Sequence, residues 1–342
     1  MFFCGYINAI PYFCFSNEQK QHKYLVLLLQ LLQRQGAGIF LLKSIHKHIN
    51  IKSSPEKIGG FLFMTITVIG TGLIGCSMAN RLRETGFTQR IIGVDNNEKN
   101  LITALQLGWI DNSMVLEEAI KQSHLVIIAI PVDVTRQLLP GILDKLDRQV
   151  LMDVGSTKNS ICQSVAGHKN RGRYVATHPM WGTEKDGPES VVKDAFKGRV
   201  AVICDKDETD TDALQLVQDL YTRIGMQLVY MNADVHDVHA AYVSHISHIA
   251  SYALSLTVLE KEKEEDAIFE LASGGFESTV RLAKSNPAMW VPIFKQNREN
   301  VLDVLNEHIS QLRKIKSCLE KENFEYLKEL IEDANKIKRI LK

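Results

Sequence analysis

The sequence has no run of about 20 consecutive apolar residues, the length that a membrane-spanning helix needs. It also has no surplus of either charge, because 40 Lys and Arg residues balance 40 Asp and Glu residues. Binding to nucleic acid or to an anionic membrane surface favours a basic surplus. The composition therefore supports neither nucleic acid nor a membrane as a partner.

Paired cysteine motifs are also missing. The six cysteines lie at positions 4, 14, 76, 162, 204 and 318, and no two of them have CxxC spacing. A chain of 342 residues is long enough for two domains with buried cores and is not a small disulfide scaffold. Reduced thiols and a cytoplasmic location are the simplest interpretation.

Residues 1–63 lack the strand–turn–helix pattern of the rest of the chain. They contain a short apolar run, Tyr24–Leu32, and a basic patch, Lys43–Lys52, but no secretory signal with a basic start and a small-residue cleavage site. No methionine follows Met1 until Met64. We hypothesise that Met64 is the true start or that residues 1–63 are a dispensable extension. The alternative is a partly helical extension that packs on the first domain.

A glycine-rich turn follows the first predicted strand, TITVIG. Gly70, Gly72 and Gly75 have G-x-G-x-x-G spacing and precede a predicted helix, and Asp95 ends the next predicted strand twenty residues after Gly75. The first glycine permits a tight turn, the second lets the backbone approach a diphosphate, and the third lets helix and strand pack closely. Within this strand–turn–helix context the motif predicts a dinucleotide site.

The residues after Asp95 indicate which dinucleotide binds. Asp95 is placed to bond the ribose hydroxyls, and it would repel a 2′-phosphate. The next residues are Asn96 and Asn97, so no basic side chain is there to bind such a phosphate. We predict NAD as the cofactor, contacted by Gly70, Gly72, Leu73, Ile74, Gly75, Asp95, Ile130, Pro131 and Ser156.

Strands and helices alternate as far as Tyr230. The predicted strands span 65–70, 90–95, 124–130, 149–154, 174–177, 199–204 and 227–230. From Asp234 onward the apolar spacing is helical, with breaks at 273–276 and 285–287. This order predicts an α/β fold with an N-terminal Rossmann domain, doubly wound on a mostly parallel sheet, over 64–233, and an all-helical domain over 234–342.

Four segments together resemble the prephenate dehydrogenase family: GTGLIG, DVGSTK, THPMWGTEKDGPE and the helical stretch from VHAAYVSHISH to WVPIFKQNR. The resemblance runs from Met64 to about Leu305. It implies NAD-dependent oxidative decarboxylation of prephenate to 4-hydroxyphenylpyruvate in tyrosine biosynthesis. It also implies that the helical domain binds substrate and interlocks two subunits, and the apolar helix around 240–259 supports a homodimer.

The reaction needs a base for the ring hydroxyl, and the resemblance places it at His178. An imidazole with an ordinary pKa of about 6.5 can take a proton near neutral pH. The alternative is a structural histidine that caps a turn. Ser156 lies after another strand, where the resemblance gives it hydrogen bonds to this base and to the substrate hydroxyl. It could equally cap a helix over residues 157–165.

The helical domain should hold the substrate. Arg281 can bind a carboxylate through two parallel hydrogen bonds, and the resemblance places a substrate arginine there. His245 and His248 are three residues apart and share a helix face, and His248 matches a substrate-contacting position. His236 and His239 have the same spacing, which raises a metal site as an alternative. The oxidation needs no metal and no ligand set is complete, so we predict none.

Four further positions complete the predicted substrate site. Gly275, with Gly274, is expected to form a tight turn that brings backbone near the substrate. Trp290 matches a tryptophan near the mouth of the family's site, with a core aromatic as the alternative. Thr183 and Glu184 lie in the loop after His178, and Glu184 could pair with Arg281 or control entry.

Three positions depart from the family pattern. Ser247 stands where a proline is common, Glu277 where a basic residue is common, and Trp181 where a small residue is common. A carboxylate at 277 would repel a dianionic substrate unless it faces away or pairs with Lys185, Lys284 or a partner subunit. It could also favour the ammonium group of arogenate, which keeps arogenate open as the alternative substrate.

Two other classes of protein are less consistent with these residues. A 3-hydroxyacid dehydrogenase would carry a catalytic lysine on the helical domain, where this chain has SHISH. A nucleotide-sensing protein would not need to retain a base. The tail after Leu305 predicts one or two helices, too short for a fused mutase domain and without the pattern of an amino-acid-sensing module. We therefore expect a monofunctional enzyme.

Overall fold

The computed structural model describes residues 64–262 and 273–339, and the predicted extension 1–63 lies outside them. In this part of the chain one sheet holds eight strands in the order β3-β2-β1-β4-β5-β6-β7-β8. Neighbouring strands are parallel except β6 and β7, which are antiparallel. The strands are β1 Thr65–Ile69, β2 Arg90–Val94, β3 Asn112–Ser113, β4 Leu125–Ile128, β5 Val150–Asp153, β6 Tyr174–Pro179, β7 Val200–Cys204 and β8 Gln227–Met231.

The central strands are buried on both faces because nearly every side chain is apolar or β-branched. In β1, Ile66 and Val68 join one core cluster while Ile69 joins the other. This division follows from the alternation of side chains along a strand. Strands β1, β4, β5 and β6 are parallel, so their carboxyl ends lie at the same edge of the sheet. Open parallel sheets bind ligands at this edge.

Six helices accompany the sheet within the described residues. They are α1 Leu73–Glu84, α2 Glu98–Gln106, α3 Leu116–Gln122, α4 Val132–Leu143, α5 Asn159–Gln163 and α6 Thr211–Ile224. The direction in which strands are added to the sheet changes between β1 and β4. After β1 the chain continues to β2 on one side, and after β4 it continues to β5 on the other side. A cleft at such a switch point is the expected nucleotide position in this fold.

The rest of the described chain is helical. α7 Ala233–Ala240 passes through a π-helical segment, Ala241–His245, into α8 Ile246–Glu262. After the gap come α9 Gly274–Val280, a short 3-10 turn Arg281–Lys284, α10 Pro287–Gln296, α11 Arg298–Glu320 and α12 Phe324–Ala334. Of the helices in residues 64–262 and 273–339, none combines the length and apolar character that a bilayer crossing requires.

Several local expectations need correction. β3 and α3 were not expected, because a two-residue strand and a seven-residue helix carry too little periodicity to detect. β6 continues through Pro179, so His178 lies inside the strand rather than at its end. Gly274 and Gly275 do not form a tight turn; they begin α9, with neither residue in the left-handed region.

Candidate active site

The glycine turn between β1 and α1 leaves open space for a negatively charged group. Gly70 has a φ of 97°, and a Cβ there would collide with the carbonyl oxygen of Ala129 at the end of β4. A Cβ on Gly75 would likewise collide with the carbonyl of Gly70, whereas a Cβ on Gly72 would meet nothing within 4 Å. Helix α1 begins after Gly72 with no side chain capping its first N–H groups. The turn therefore fits a diphosphate, whose oxygens can accept those N–H groups.

Asp95 is tied to this turn. One of its carboxylate oxygens accepts hydrogen bonds from the backbone N–H of Thr71 at 2.7 Å and from the Thr71 hydroxyl at 2.9 Å. The other accepts from the backbone N–H of Asn97 at 2.9 Å. The acid is thus fixed beside the glycine turn at the carboxyl end of β2. This position suits contact with a ribose whose phosphate lies over the turn.

His178 is the first member of a buried chain of side chains. Its Nδ1 lies 2.9 Å from Nε2 of His236, and Nδ1 of His236 lies 2.8 Å from an oxygen of Asp237. The three residues are 8%, 2% and 2% exposed, so little water competes for these bonds. Burial, and then the neighbouring His236, Lys158 and His245, lower the pKa of His178 well below 6.5. The imidazole is therefore neutral and able to accept a proton at neutral pH.

Asp237 also holds the loop after β5. Its carboxylate accepts the backbone N–H of Lys158 at 2.7 Å and that of Asn159 at 2.9 Å. These groups begin α5, where N–H groups have no partner within the helix. The expected cap of this helix, Ser156, is not used in that way. Asp237 on α7 performs the capping instead, and so joins the loop of Ser156 to the helical part of the chain.

Ser156 itself is partly exposed and forms no hydrogen bond within residues 64–262 and 273–339. The expected bond between Ser156 and His178 is therefore not present. The Nδ1 atom of His178 is already bonded to His236, so only Nε2 remains for a hydroxyl. In this structure Ser156 therefore does not orient the imidazole of His178.

A fully buried ion pair lies under the same loop. The ammonium group of Lys158 bonds the carboxylate of Asp153 and donates to the carbonyl of Thr177 at 2.8 Å. Asp153 also accepts from the hydroxyl of Tyr174 at 2.7 Å and from the backbone N–H of Gly155 at 2.9 Å. Neither charged side chain is exposed. This pair fixes the end of β5, before the loop of Ser156, against the part of β6 that carries His178.

The histidines of the central helix pack against an aromatic side chain. The ring of His248 stacks on that of Trp290, with centroids 3.4 Å apart, and His245 lies edge-on to it at 5.9 Å. Burial is the main cause that lowers the pKa of each histidine to about 4. Both are therefore neutral hydrogen-bonding groups. Trp290 is 6% exposed, so it forms a wall behind His248 rather than an exposed mouth.

The π-helical segment explains how two histidines nine residues apart, His236 and His245, both come near His178. Nine residues of an uninterrupted α-helix turn through about 900°, which would place His236 and His245 on opposite sides. The wider π turn removes part of that rotation. As a result His236 and His245 both act electrostatically on His178. His239 remains exposed, and its imidazole lies 2.7 Å from the carbonyl of Val235.

The loop after β6 reaches the helical elements through polar contacts. The guanidinium of Arg281 lies 2.7 Å from the carboxylate of Glu184, and Asn286 donates to Asp186 at 2.8 Å. The bond from its own backbone N–H, followed by Arg281, lowers the pKa of Glu184. Arg281 remains 49% exposed, so its guanidinium can still meet a ligand. Thr183 accepts a hydrogen bond from the backbone N–H of Lys185 within the same loop.

Trp181 and Glu277 are two of the residues that depart from the family pattern. Trp181 is partly buried and packs edge-on against Phe196 at 5.2 Å, so it belongs to the core of the sheet domain. Glu277 is exposed on α9 and has no ion pair within the described residues.

Gly275 accepts hydrogen bonds from the side chains of Ser278 and Thr279. In the described part of the chain no three His, Cys, Asp or Glu side chains cluster as metal ligands would.

Three residues of this arrangement escaped prediction: Asp237, Lys158 and Asp153. His236 was considered only as a metal ligand. The adjacent pair His236-Asp237 was the available signal, because a carboxylate beside an imidazole often orients it. Lys158 and Asp153 gave no signal, since charged residues in a strand and a loop are usually exposed.

Comparisons with known proteins agree with this geometry. Residues 78–230 match the family model described as prephenate dehydrogenase, nucleotide-binding domain, and residues 232–333 match the model described as prephenate dehydrogenase, dimerization domain. The prephenate dehydrogenase of Bacillus subtilis is 31% identical over 267 residues, which cover 77% of this chain and 72% of that protein. The cyclohexadienyl dehydrogenase of Zymomonas mobilis is 28% identical over 82% of this chain and 97% of its own length.

A solved structure is similar over nearly its whole length. The prephenate dehydrogenase of Aquifex aeolicus, in complex with hydroxyphenyl propionate and NAD+, has a TM-score of 0.72 at 29% identity. The match covers 81% of this chain and 98% of that one. The sheet order, the glycine turn, the buried histidine and the two matching domain models lead to one conclusion. This chain belongs to the prephenate dehydrogenase family.

Proposed function

We propose that this protein oxidises prephenate with NAD and releases carbon dioxide and 4-hydroxyphenylpyruvate, a step of tyrosine biosynthesis. The observation that carries the proposal is His178, a buried neutral imidazole at the carboxyl edge of the sheet. The glycine turn follows β1 at that same edge. A base and a dinucleotide site side by side are what the oxidation of an alcohol requires.

The electron movements identify what the protein must do. Nε2 of His178 takes the proton of the ring hydroxyl, and the electrons of that O–H bond form the carbonyl as hydride leaves the same carbon. NAD, when bound, accepts this hydride. The bond from the opposite ring carbon to its carboxylate then breaks, carbon dioxide departs, and its electron pair enters the ring. The ring becomes aromatic as the carbonyl oxygen takes up the displaced electron pair and regains the proton from His178, which gives the phenol. The residues of this chain need only hold the reactants, accept one proton and return it.

Cofactor binding is assigned to the glycine turn and its neighbours. The first N–H groups of α1, including those of Leu73 and Ile74, would bond the diphosphate, and Asp95 would bond the adenosine ribose. Ile130 and Pro131 follow β4 beside this turn, and Ser156 follows β5. The absence of a basic side chain at Asn96 and Asn97 supports NAD over NADP.

Substrate binding is assigned to the helical elements and the loop after β6. Arg281 would hold a carboxylate, with Glu184 as its partner when no substrate is bound. The neutral His248 and His245 would offer hydrogen bonds to the polar side chain of the substrate. Trp290 forms their wall. Thr183 and Gly275, with its helix α9, would lie at the border of the site.

Conversion of Arg281 to lysine tests the carboxylate contact. Arg281→Lys should raise the KM for prephenate by roughly tenfold or more, because lysine keeps the charge but loses the paired hydrogen bonds. The KM for NAD should remain unchanged in a steady-state assay. Arg298→Lys is the matched control, since Arg298 is exposed and, within residues 64–262 and 273–339, pairs with its neighbour Glu299 alone. An equal rise in both KM values would contradict the assignment.

The overall activity is tested by NADH absorbance. Purified protein is mixed with prephenate or arogenate, each with NAD and then with NADP at equal concentration. We expect NADH formation and carbon dioxide release with prephenate, and much weaker activity with NADP. Activity with arogenate alone would reassign the substrate while leaving the family chemistry intact. No activity with either acid would contradict the proposed function.

We propose further that the protein is a homodimer. Helices α8, α11 and α12 expose large apolar side chains that water solvates poorly: Leu256, Leu259, Leu312, Ile315, Leu319, Phe324 and Ile331. These helices lie in the part that matches the dimerization-domain model. Light scattering should give twice the mass of one chain, and a mass of one chain at micromolar concentration would contradict the dimer.

The domain limits and location are also proposals. We assign 64–233 to NAD binding and 234–342 to substrate and dimerisation. The last strand ends at Met231 and helices follow from Ala233, which supports this limit. The cysteines at 76, 162, 204 and 318 are buried and unpaired, which supports a reducing, cytoplasmic location.

A further inference from the structure

Two residues of α7, His236 and Asp237, have no role in the binding of cofactor or substrate described above. We propose that they are positioning residues that keep the imidazole proton of His178 on Nδ1 and thereby leave Nε2 bare to take the hydroxyl proton. This inference rests on the proposed function, because it assigns a task to His178 as the base. It is carried by the order of donors and acceptors in the buried chain.

The order of donors and acceptors begins at Asp237, whose carboxylate can only accept hydrogen bonds. It already accepts the backbone N–H groups of Lys158 and Asn159, one on each oxygen. The 2.8 Å contact with His236 therefore requires that Nδ1 of His236 donates. At a pH where His236 is neutral, its ring has one N–H, so Nε2 of His236 must be an acceptor.

The same argument about donors and acceptors applies to His178. Its Nδ1 lies 2.9 Å from the accepting Nε2 of His236, so this Nδ1 must carry the proton. A neutral His178 then has no proton on Nε2. The fixed backbone N–H groups at the start of α5 thus determine, through two rings, which nitrogen of His178 can act as a base. Without these fixed partners, a neutral His178 would carry its proton on Nε2 in part of the molecules, and in those molecules Nε2 could not act as the base.

The chain also stabilises the product of proton transfer. When Nε2 of His178 gains the hydroxyl proton, the ring becomes positive in a buried place next to Lys158 and His245. The other charged groups around it are Asp153, which is bonded to Lys158, and Asp237. Movement of the Nδ1 proton from His178 to Nε2 of His236 would place the positive charge next to Asp237. A buried charge is tolerated when such a partner is present.

Helix α7 supplies matched controls for a mutational test. Asp234 and His239 lie on the same helix as Asp237 and His236, but both are exposed, and their side-chain hydrogen bonds among the described residues go to Val235. The test variants are Asp237→Asn and His236→Gln, and the controls are Asp234→Asn and His239→Gln. An amide at 237 can donate to Nδ1 of His236, which would reverse the proton positions in both rings.

We expect Asp237→Asn to lower kcat by roughly 10²–10⁴-fold, the usual contribution of a positioned general base, with the upper end near the loss of about 10⁴-fold seen when the carboxylate partner of a catalytic histidine is neutralised in a hydrolase. His236→Gln should lower kcat by at least roughly tenfold, because a glutamine oxygen can accept from Nδ1 but cannot take up charge. The KM for prephenate and the Kd for NAD should stay within about twofold, as should every constant of the controls. A variant that loses cofactor affinity together with kcat would indicate a merely structural role.

Nitrogen-15 NMR of labelled histidines tests the proton position without any turnover. In the wild-type protein the His178 signals, assigned by their loss in His178→Asn, should show a protonated Nδ1 and a bare Nε2. In Asp237→Asn they should show the reverse. A protonated Nε2 in the wild-type protein, or full kcat in Asp237→Asn, would overturn the proposal.

The two measurements also separate this inference from the proposed function. If Asp237→Asn fails to fold by circular dichroism, the wild-type NMR signals still decide the tautomer. If the wild-type protein oxidises neither prephenate nor arogenate, the proposed function fails whatever the tautomer. If it is active and its His178 carries the proton on Nε2, only the positioning role fails.

Discussion

Replacement of His178 by asparagine should lower kcat for prephenate oxidation by roughly 10²–10⁴-fold, the usual contribution of a general base. Asparagine is small enough for the buried site and keeps a hydrogen-bonding group next to His236, but its amide cannot take a proton. The Kd for NAD, measured by the quenching of protein fluorescence, should not change, because the glycine turn is built by other strands. The decisive feature of the result is that kcat falls while the Kd for NAD stays the same.

The pH dependence should change with the same variant. The neutral imidazole is the active form and is present above its pKa. Burial lowers the pKa of His178 well below 6.5, so wild-type kcat should stay on its plateau as the pH falls through 6.5. The decline at lower pH should vanish in His178→Asn, whose residual rate has no such base. His239→Asn, an exposed histidine of α7, is the matched control and should behave as wild type. More than a tenth of wild-type kcat in His178→Asn would contradict its assignment as the base.

The nucleotide half of the fold was predictable because its determinants are local in sequence. The strand before Gly70, the glycine spacing and the acid at Asp95 specify a turn whose geometry follows from backbone sterics alone. The structure places Asp95 against Thr71 of that turn, as the spacing indicates. The antiparallel direction of β7 was harder to predict from the sequence. Its signal is the lack of a helical pattern between 180 and 199, since parallel neighbours need a crossover helix.

The helical half was predictable in outline and not in detail. Periodic spacing indicated helices but could not reveal the π-helical segment at Ala241–His245, which changes the face on which His245 and His248 lie. A histidine at 236 therefore looked like a partner of His239, three residues on. The structure instead turns it toward His178, because tertiary contacts decide which face of a helix is buried.

The site shows the same division between local and tertiary information. The pair Glu184 and Arg281 could be anticipated from charge alone, since an acid near a substrate arginine is its natural counterion. The predicted contact of Ser156 with His178 does not form in this structure, where His236 bonds Nδ1 of His178 and only Nε2 remains for a hydroxyl. Such competition between two partners for one atom depends on distances that no spacing rule contains.

Replacement of Lys158 by methionine should lower the free energy of unfolding by about 3–5 kcal/mol, the usual loss when one partner of a buried ion pair is removed. Methionine nearly fills the volume of the lysine stem, so packing changes little. The carboxylate of Asp153 would then lie unpaired at 0% exposure. The melting temperature should fall by roughly 10 °C in a thermal scan, given the usual relation between the two quantities for domains of this size.

A double-variant cycle separates charge from packing. Asp153→Asn combined with Lys158→Met removes the unpaired charge while an amide oxygen remains for the Tyr174 hydroxyl, so the double variant should be more stable than Lys158→Met alone. Lys169→Met is the matched control, because Lys169 is 71% exposed and only loosely paired. Its stability should change by less than about 0.5 kcal/mol. If Lys158→Met matched this control, the pair would not be what fixes the end of β5 against β6, and the precise placement of His178 would have to come from the α7 contacts alone.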